Sequence, residues 1–284
     1  MRVENFPQPG TKISASDLVI TGGGCAANAA VAIARLGGRV HFAGPLGARD
    51  DEFSNRIVSG LEREGIGCAG AVRVAGAAAS VSLILLDADG EKTIATRRGN
   101  GLATARPADP AQLVATVDAV LVDNRFPEFV LPICQAARAR GVPVVIDLDQ
   151  VTTPDHPLLA LGTHVVASSE ALRGMIGDDL RAALPKLAER LDGFVAVTDG
   201  PHGVYWLDAG QLRHMPAFKV EAIDTLGAGD TFHGAFTFAL TEGQDAVAAM
   251  RFAAAAAAIK CTRFGGLTGA ATRAEVDDFL TRAR

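Results

Sequence analysis

The feature that most constrains this fold lies between residues 120 and 198. Four short, mostly apolar runs cover residues 120–123, 144–147, 164–167 and 194–198, separated by segments of helical periodicity, notably 127–140 and 180–191. Runs this short, without polar alternation, read as strands buried on both faces. Strands that alternate with helices can bury such surface in a parallel sheet covered by helices on each side. The spacing therefore predicts an α/β body.

The flanking segments extend this reading. Residues 203–207 and 212–215 read as a hairpin around Asp208-Ala209-Gly210, and helices are expected over 230–241, 246–261 and 273–282. Upstream, residues 12–21 look extended, Gly22-Gly23-Gly24 breaks them, and a helix follows over 25–36. A strand at 40–43 and an amphipathic helix at 51–64 come next. Residues 80–87 and 92–96 alternate polar and apolar around Asp89-Gly90, a hairpin signal. Residues 1–20 and 78–97 are thus expected to form a small β appendage on a body of residues 21–77 and 98–284.

The densest chemical signal is Asp224-Thr225-Leu226-Gly227-Ala228-Gly229-Asp230, entering a helix. The glycines allow a sharp turn that presents successive amide N–H groups, and the helix start adds partial positive charge. Together they suit a transferring phosphoryl group. Asp230 is kept ionised by the same field and can take a proton from an attacking hydroxyl. An ordinary Asp cap after a glycine turn is the bland alternative. The second acid, Asp224, and the wider context weigh against it.

Three weaker signals accompany this one. Gly22-Gly23-Gly24-Cys25-Ala26-Ala27-Asn28 lets backbone approach a small polar ligand, with the Asn28 amide offered to hydroxyls; close packing of a helix start would look the same. A dinucleotide reading fits poorly, because the strand at 40–43 ends without the ribose-binding acid. Val197-Thr198-Asp199-Gly200-Pro201-His202-Gly203 leaves a strand for a glycine turn, where open α/β sheets bind ligands. The small side chains of 252–259, ahead of Lys260-Cys261-Thr262-Arg263-Phe264-Gly265-Gly266, leave room for a flat base or for close helix packing.

Other classes are disfavoured. The chain has no P-loop, no H-R-D or D-F-G set and no G-x-S-x-G elbow. A formal net charge of -5 offers no basic field for nucleic acid or anionic lipid. The Ala-rich run is too short to cross a bilayer and no leader opens the chain, so a cytoplasmic location is expected. Cys25, Cys68, Cys134 and Cys261 form no C-x-x-C and the histidines no H-x-x-x-H, which argues against zinc and disulfides.

Taken in order, these segments resemble the ribokinase-like, or PfkB, sugar kinases over nearly the whole chain. Gly22 to Asn28, Leu36-Gly37, Gly44-Pro45-Leu46-Gly47 and Asp50-Asp51 follow the family's first signature, and Asp224 to Asp230 completes the second. The resemblance implies a three-layer α/β/α sandwich with a small β-sheet lid over the sugar site, the lid often serving as a homodimer surface. It implies ATP and Mg²⁺, and K⁺ in members that use a monovalent cation. Asp230 would be the base, with Gly227, Ala228 and Gly229 in the anion hole. Gly23, Gly24 and Asn28 would touch the sugar. Thr198, Gly200, Gly203, Thr225, Gly227, Gly229 and Gly265 would hold the nucleotide. Asp224 would shape the cation loop, and Glu170 stands near the family's magnesium-organising acid.

Within the family the likeness leans to the sulfofructose kinase branch, through Phe232-His233-Gly234-Ala235, Lys260-Cys261-Thr262-Arg263, Asp123-Asn124-Arg125 and Asp147-Leu148-Asp149. That branch implies Lys12 and Arg125 as a grip on a sulfonate, with Thr96 or Asn100 nearest to a third contact. The implied reaction is phosphorylation of a primary hydroxyl on a ketose-like sugar, 6-deoxy-6-sulfofructose being one candidate. A nucleoside kinase is the enzyme alternative, with Phe6 and Phe42 as the main lid aromatics. A catalytically impaired sugar- or nucleotide-binding protein is the other. Family members open with an apolar strand and a sugar-gripping Asp, whereas Met1 stands where the lid begins. A body sheet lacking a central strand, with a groove beside Gly22-Gly23-Gly24, is the expected consequence.

Overall fold

The computed structural model describes residues 1–88 and 92–283. In chain order the elements are α1 (Cys25–Arg35), β1 (His41–Leu46), α2 (Glu52–Arg63), β2 (Gly67–Arg73), β3 (Val81–Leu86), β4 (Lys92–Arg97), α3 (Pro110–Leu113), β5 (Val120–Asp123), α4 (Pro127–Ala139), β6 (Val144–Leu148), β7 (His164–Ser168), α5 (Ser169–Met175), α6 (Leu180–Ala188), β8 (Phe194–Thr198), β9 (Val204–Asp208), β10 (Gln211–Met215), α7 (Ala228–Thr241), α8 (Ala246–Cys261) and α9 (Arg273–Arg282).

Side-chain caps set several helix starts: Asp51 accepts from Ser54 N, Ser168 from Ala171 N and Asp245 from Ala248 N. The helices α1 and α7 begin instead on glycines, Gly24 at φ 106° and Gly227 at φ 77°. A residue with a Cβ adopts such angles only under strain. Both starts face one cleft.

The central sheet has the order β10-β9-β8-β7-β6-β5. β5 to β8 are parallel, as the strand–helix alternation requires, while β9 and β10 add an antiparallel hairpin at one edge. All five residues of β6 are buried, which explains the apolar run Val144-Val145-Ile146 and leaves Asp147 as a buried acid. One face of the sheet packs on α4, α5 and α6 through Phe129, Ile133, Leu172 and Leu184. The other packs on α7, α8 and α9 through Phe232, Phe236, Met250 and Val276. The result is a ribokinase-like α/β sandwich with a mixed sheet between helical layers.

β3 and β4 pair antiparallel from Val81↔Arg97 to Leu86↔Lys92 and form the lid hairpin. The expected turn at Asp89-Gly90 lies outside the described residues. Residues 12–21 form no strand: Asp17 makes a single bridge to Arg2, which also bridges to Leu86. Ile13, Leu18 and Ile20 there are exposed, so no buried face holds them to a sheet register. β1 and β2 form a parallel pair apart from the central sheet, β2 being a strand the sequence reading did not foresee. The groove expected beside the glycine turn is a cleft of about 1490 Å³ lined by β1, by the edge strand β5, by Gly22, Gly23 and Gly24, and by the lid. Among the described residues no helix is long and apolar enough to cross a membrane.

Candidate active site

Two helix starts and the ends of adjacent parallel strands supply the cleft's chemistry. A helix start carries amide N–H groups without intrahelical partners. At α1 the Asp123 carboxylate, at the end of β5, answers them: its Oδ2 accepts from Ala26 N at 3.2 Å and its Oδ1 from Arg125 N at 3.0 Å. At α7 no side chain caps the helix, so its positive end is left for a ligand.

Asp230 sits in the first turn of α7. Its Oδ2 accepts from Asn28 Nδ2 at 2.5 Å, a contact that joins the two helix starts. Burial raises the Asp230 pKa, and the hydrogen bonds from Asn28 and Cys25 offset only part of that. A raised carboxylate is the stronger proton acceptor while it stays ionised. Behind it lies Asp147, on β6 beside its register partner Asp123 and only 4% exposed. Burial, then the charges of Asp230 and Asp123, raise the Asp147 pKa well above the carboxylate range. His233, one helical turn after Asp230, lies 3.5 Å from Asp147 Oδ1, and its ring nitrogens approach the carbonyls of Gly229 (2.8 Å) and Val166 (3.2 Å). These contacts tie α7 to the strand ends beneath it.

Arg125 is committed inside the protein. Its guanidinium forms an ion pair with Asp149, and its Nε donates to Cys25 Sγ at 3.3 Å. Burial pushes the Cys25 thiol up, so it stays protonated. The Cys25 sulfur and carboxylate oxygens of Asp147 and Asp230 lie within 4.8 Å of one another. A protonated thiol does not suit Mg²⁺, which takes oxygen ligands.

The first acid of the turn, Asp224, is 3% exposed. Its Oδ1 accepts from Leu226 N at 2.8 Å; its Oδ2 accepts from Gly265 N and Gly266 N at 3.0 and 3.1 Å and lies 3.6 Å from Lys260 Nζ. Burial alone would raise its pKa, but these donors and the Lys260 charge outweigh it and hold the carboxyl below its usual value. The expected metal role for Asp224 fits poorly, because Oδ2 already accepts two amides beside the Lys260 ammonium and Oδ1 accepts from Leu226 N.

A second set of residues gathers at the carboxyl ends of β7 and β8, where Ser168 and Thr198 are register partners. Gly200 and Gly203 follow at φ 50° and 101°. A Cβ on Gly203 would fall 2.1 Å from Met215 O, so this glycine has a steric reason of its own. Glu170 is exposed in the first turn of α5, beside the same strand ends. An exposed carboxylate there is the kind of oxygen donor Mg²⁺ accepts.

Of the sugar-side residues expected from sequence, Gly23, Gly24, Asn28 and Arg125 line the cleft together with Gly227, Asp230 and Gly265. Lys12 and Asn100 do not: Lys12 is exposed on the 12–21 coil, and Asn100 turns its Oδ1 to Ala78 N at 3.2 Å. Thr96 does line the cleft, from β4. Sequence reasoning did not assign Asp123, Asp147, Asp149, His233 or Lys260 to the site. A signal was present for two of them: Asp123 and Asp147 are the acids closing apolar runs that become neighbouring parallel strands.

A carboxylate of raised pKa beside uncapped helix amides, in one turn, is an arrangement suited to moving a phosphoryl group onto a hydroxyl, the chemistry of a small-molecule kinase. Comparison with known proteins narrows the class. A family model described as pfkB family carbohydrate kinase matches residues 1–273, and the chain belongs to that family. It is 30% identical to the ribokinase of Bacillus subtilis (strain 168) over 284 residues, covering 97% of this chain and 93% of that protein. Its fold matches the crystal structure of a putative ribokinase from Agrobacterium tumefaciens with TM-score 0.92 and 36% identity, over 99% of this chain and 93% of the other. It also matches Arabidopsis thaliana ribokinase complexed with ribose and ATP, with TM-score 0.81 and 25% identity over 98% and 94%. The protein is an ATP-dependent phosphotransferase with an alcohol acceptor, of the sugar or nucleoside kinase kind.

Proposed function

We propose that this chain phosphorylates the primary hydroxyl of a neutral, ketose-like sugar. The charge balance around the cleft carries this reading. Asp123 and Asp230 line the cleft with Asp147 buried behind them, and the cation beside these acids, Arg125, is paired with Asp149. Carboxylates accept hydrogen bonds from sugar hydroxyls and repel an anion. The two cations that the sulfosugar candidate relies on form no free pair there: Lys12 lies outside the cleft and Arg125 is engaged with Asp149, while the further cations of the lining, Arg39, Arg56, Lys92 and Arg98, come from α2, β4 and loops.

In this reading the sugar lies over Gly23, Gly24 and Asn28, with the lid strands β3 and β4 excluding water. Asp230 takes the hydroxyl proton as the oxygen attacks the γ-phosphorus. The amides of Gly227, Ala228, Gly229 and Asp230 receive the developing charge, reinforced by the α7 dipole. The nucleotide runs along Thr198, Gly200 and Gly203 toward Thr225 and Gly265. Glu170 would be the protein oxygen nearest a Mg²⁺ carried with the triphosphate, an ion that would neutralise phosphate charge. The lid also serves as the surface of a homodimer.

A nucleoside acceptor is the second reading, favoured by Phe42 in the cleft lining; Phe6 is not part of that lining. A coupled ADP-release screen against neutral ketoses and pentoses, sulfosugars and nucleosides tests the proposal. Fastest turnover on a neutral ketose is expected. Preference for a nucleoside or a sulfosugar would overturn it, as would an Arg125→Ala variant that loses an anionic sugar far more than fructose.

A further inference from the structure

Lys260 is a fully buried lysine near the end of α8, with 0% exposure. Burying an ammonium is costly unless its charge is used. Here Nζ donates to the main-chain carbonyl of Asp224 at 2.6 Å and lies 3.6 Å from Asp224 Oδ2. Asp224 begins the anion-binding turn. The same helix end holds that segment a second time, since Ile223 N and Asp224 N both donate to Cys261 O, at 2.7 and 3.1 Å. The entry to the turn is therefore clamped from one side by a cation and a carbonyl of α8, and from the other by Gly265 N and Gly266 N.

A dissolved monovalent cation beside this turn would compete with Lys260 for the Asp224 carbonyl and with Lys260 and two amides for Oδ2, and would stand against the Lys260 charge. Like K⁺, an ammonium is a monovalent cation that such oxygens can hold. We propose that the Lys260 ammonium is the built-in cation of the anion-binding turn, a positioning residue that makes catalysis independent of added monovalent cations. Bonded to α8 through its own side chain, it pulls the Asp224 carbonyl inward and so fixes where the amides of the next five residues point. The pair with Asp224 is net neutral, so its contribution is orientation rather than a stronger field. The inference rests on the kinase reading of the turn, but one of its readouts needs no substrate.

The test compares wild type, Lys260→Met and Lys260→Arg at constant ionic strength in sodium, potassium, ammonium and tetramethylammonium chloride. Turnover and melting temperature are measured in each salt. Wild type is expected to turn over within about twofold in all four salts, with a melting temperature that ignores which cation is present. Lys260→Met is expected to lose about tenfold or more in kcat in tetramethylammonium. It should recover part of that loss, and gain melting temperature, specifically in potassium or ammonium. Lys260→Arg should keep cation independence. A wild type that requires potassium would overturn the proposal, even if the Met variant fails to fold. So would a folded Met variant with wild-type kcat, or one whose loss and melting temperature are the same in every salt. The melting series separates a failure of this inference from a wrong substrate assignment.

Discussion

At the scale of single residues, Asp230 and Asp224 lie six positions apart and do opposite things because their surroundings differ. Asp230 is pushed up by burial and faces the cleft. Asp230→Asn should cut kcat by on the order of 10² or more while ATP affinity is retained. A mere helix cap would instead cost about 1 kcal/mol of stability with normal chemistry, so kinetics and melting on one variant separate the two roles. The pH dependence follows from the direction of the shift. A base with a raised pKa becomes protonated at higher pH than an exposed carboxylate, so the acid limb of kcat should sit above the ordinary range. Asn28 donates to the ionised form and lowers that pKa, so Asn28→Ala should move the limb further up. A limb that stays put in pH–rate profiles would rule this out.

Asp224 has the reverse sign. Its carboxyl is held low in the folded state, so its contribution is present above the unfolded pKa of about 3.9 and is lost as pH falls through the folded value. Removing one partner of a buried ion pair costs about 3 kcal/mol or more. Asp224→Asn should therefore melt well below wild type at neutral pH, and the gap should shrink in acid. A gap that persists unchanged in acidic buffer would mean that the carboxylate's charge is not what stabilises the turn.

At the scale of elements, the helix starts divide into two kinds. Most are closed by side chains, and α9 carries a full capping box in which Thr272 and Glu275 satisfy each other's backbone donors. Arg263 and the Thr272 donors hold Glu275 down to about 2. Thr272→Ala should cost about 1 kcal/mol, a fall of roughly 2–4 °C in melting temperature. Because α9 sits on the outer helical layer, kcat should be unchanged; calorimetry and a turnover assay check both halves. The starts of α1 and α7 are glycines and lack side-chain caps. They meet through Asn28 and Asp230, but Asp123 takes up the Ala26 amide at α1, so only the α7 start leaves its backbone donors open.

At the scale of the whole molecule, apolar side chains are exposed in the lid region: Leu18 (60%), Ile20 (66%), Leu83 (51%) and Ile94 (46%). Every residue of β4 is exposed. An open apolar hairpin in water invites a partner. A homodimer formed through the lid would cover this surface and steady the hairpin over the cleft. Light scattering at micromolar concentration should give twice the chain mass, and Leu83→Lys should shift it toward monomer. A monomeric wild type would mean that the hairpin closes over the cleft within one chain.

Periodicity and local chemistry were enough for much of this protein. Residues 120–198 carry the sheet's parallel strands in their apolar runs, because a strand buried on both faces has no room for polar alternation. Asp224 to Asp230 announces a turn into a helix, because the left-handed backbone at Gly227 favours glycine and the acids stand at set distances along the chain. Where side chains from distant segments meet was not legible. Lys12 and Arg125 looked like a pair of free cations, but charge says nothing about partners, and Arg125 is neutralised by Asp149, 24 residues away. Asp147 looked like a strand-end acid; only the stacking of β5, β6 and α7 crowds it against Asp123 and Asp230 and shifts its proton affinity. Lys260 looked like the polar end of an Ala-rich helix. It becomes a buried cation because α8 lays that position against a carbonyl 36 residues earlier, a contact that local sequence does not encode and that only the packed helices decide.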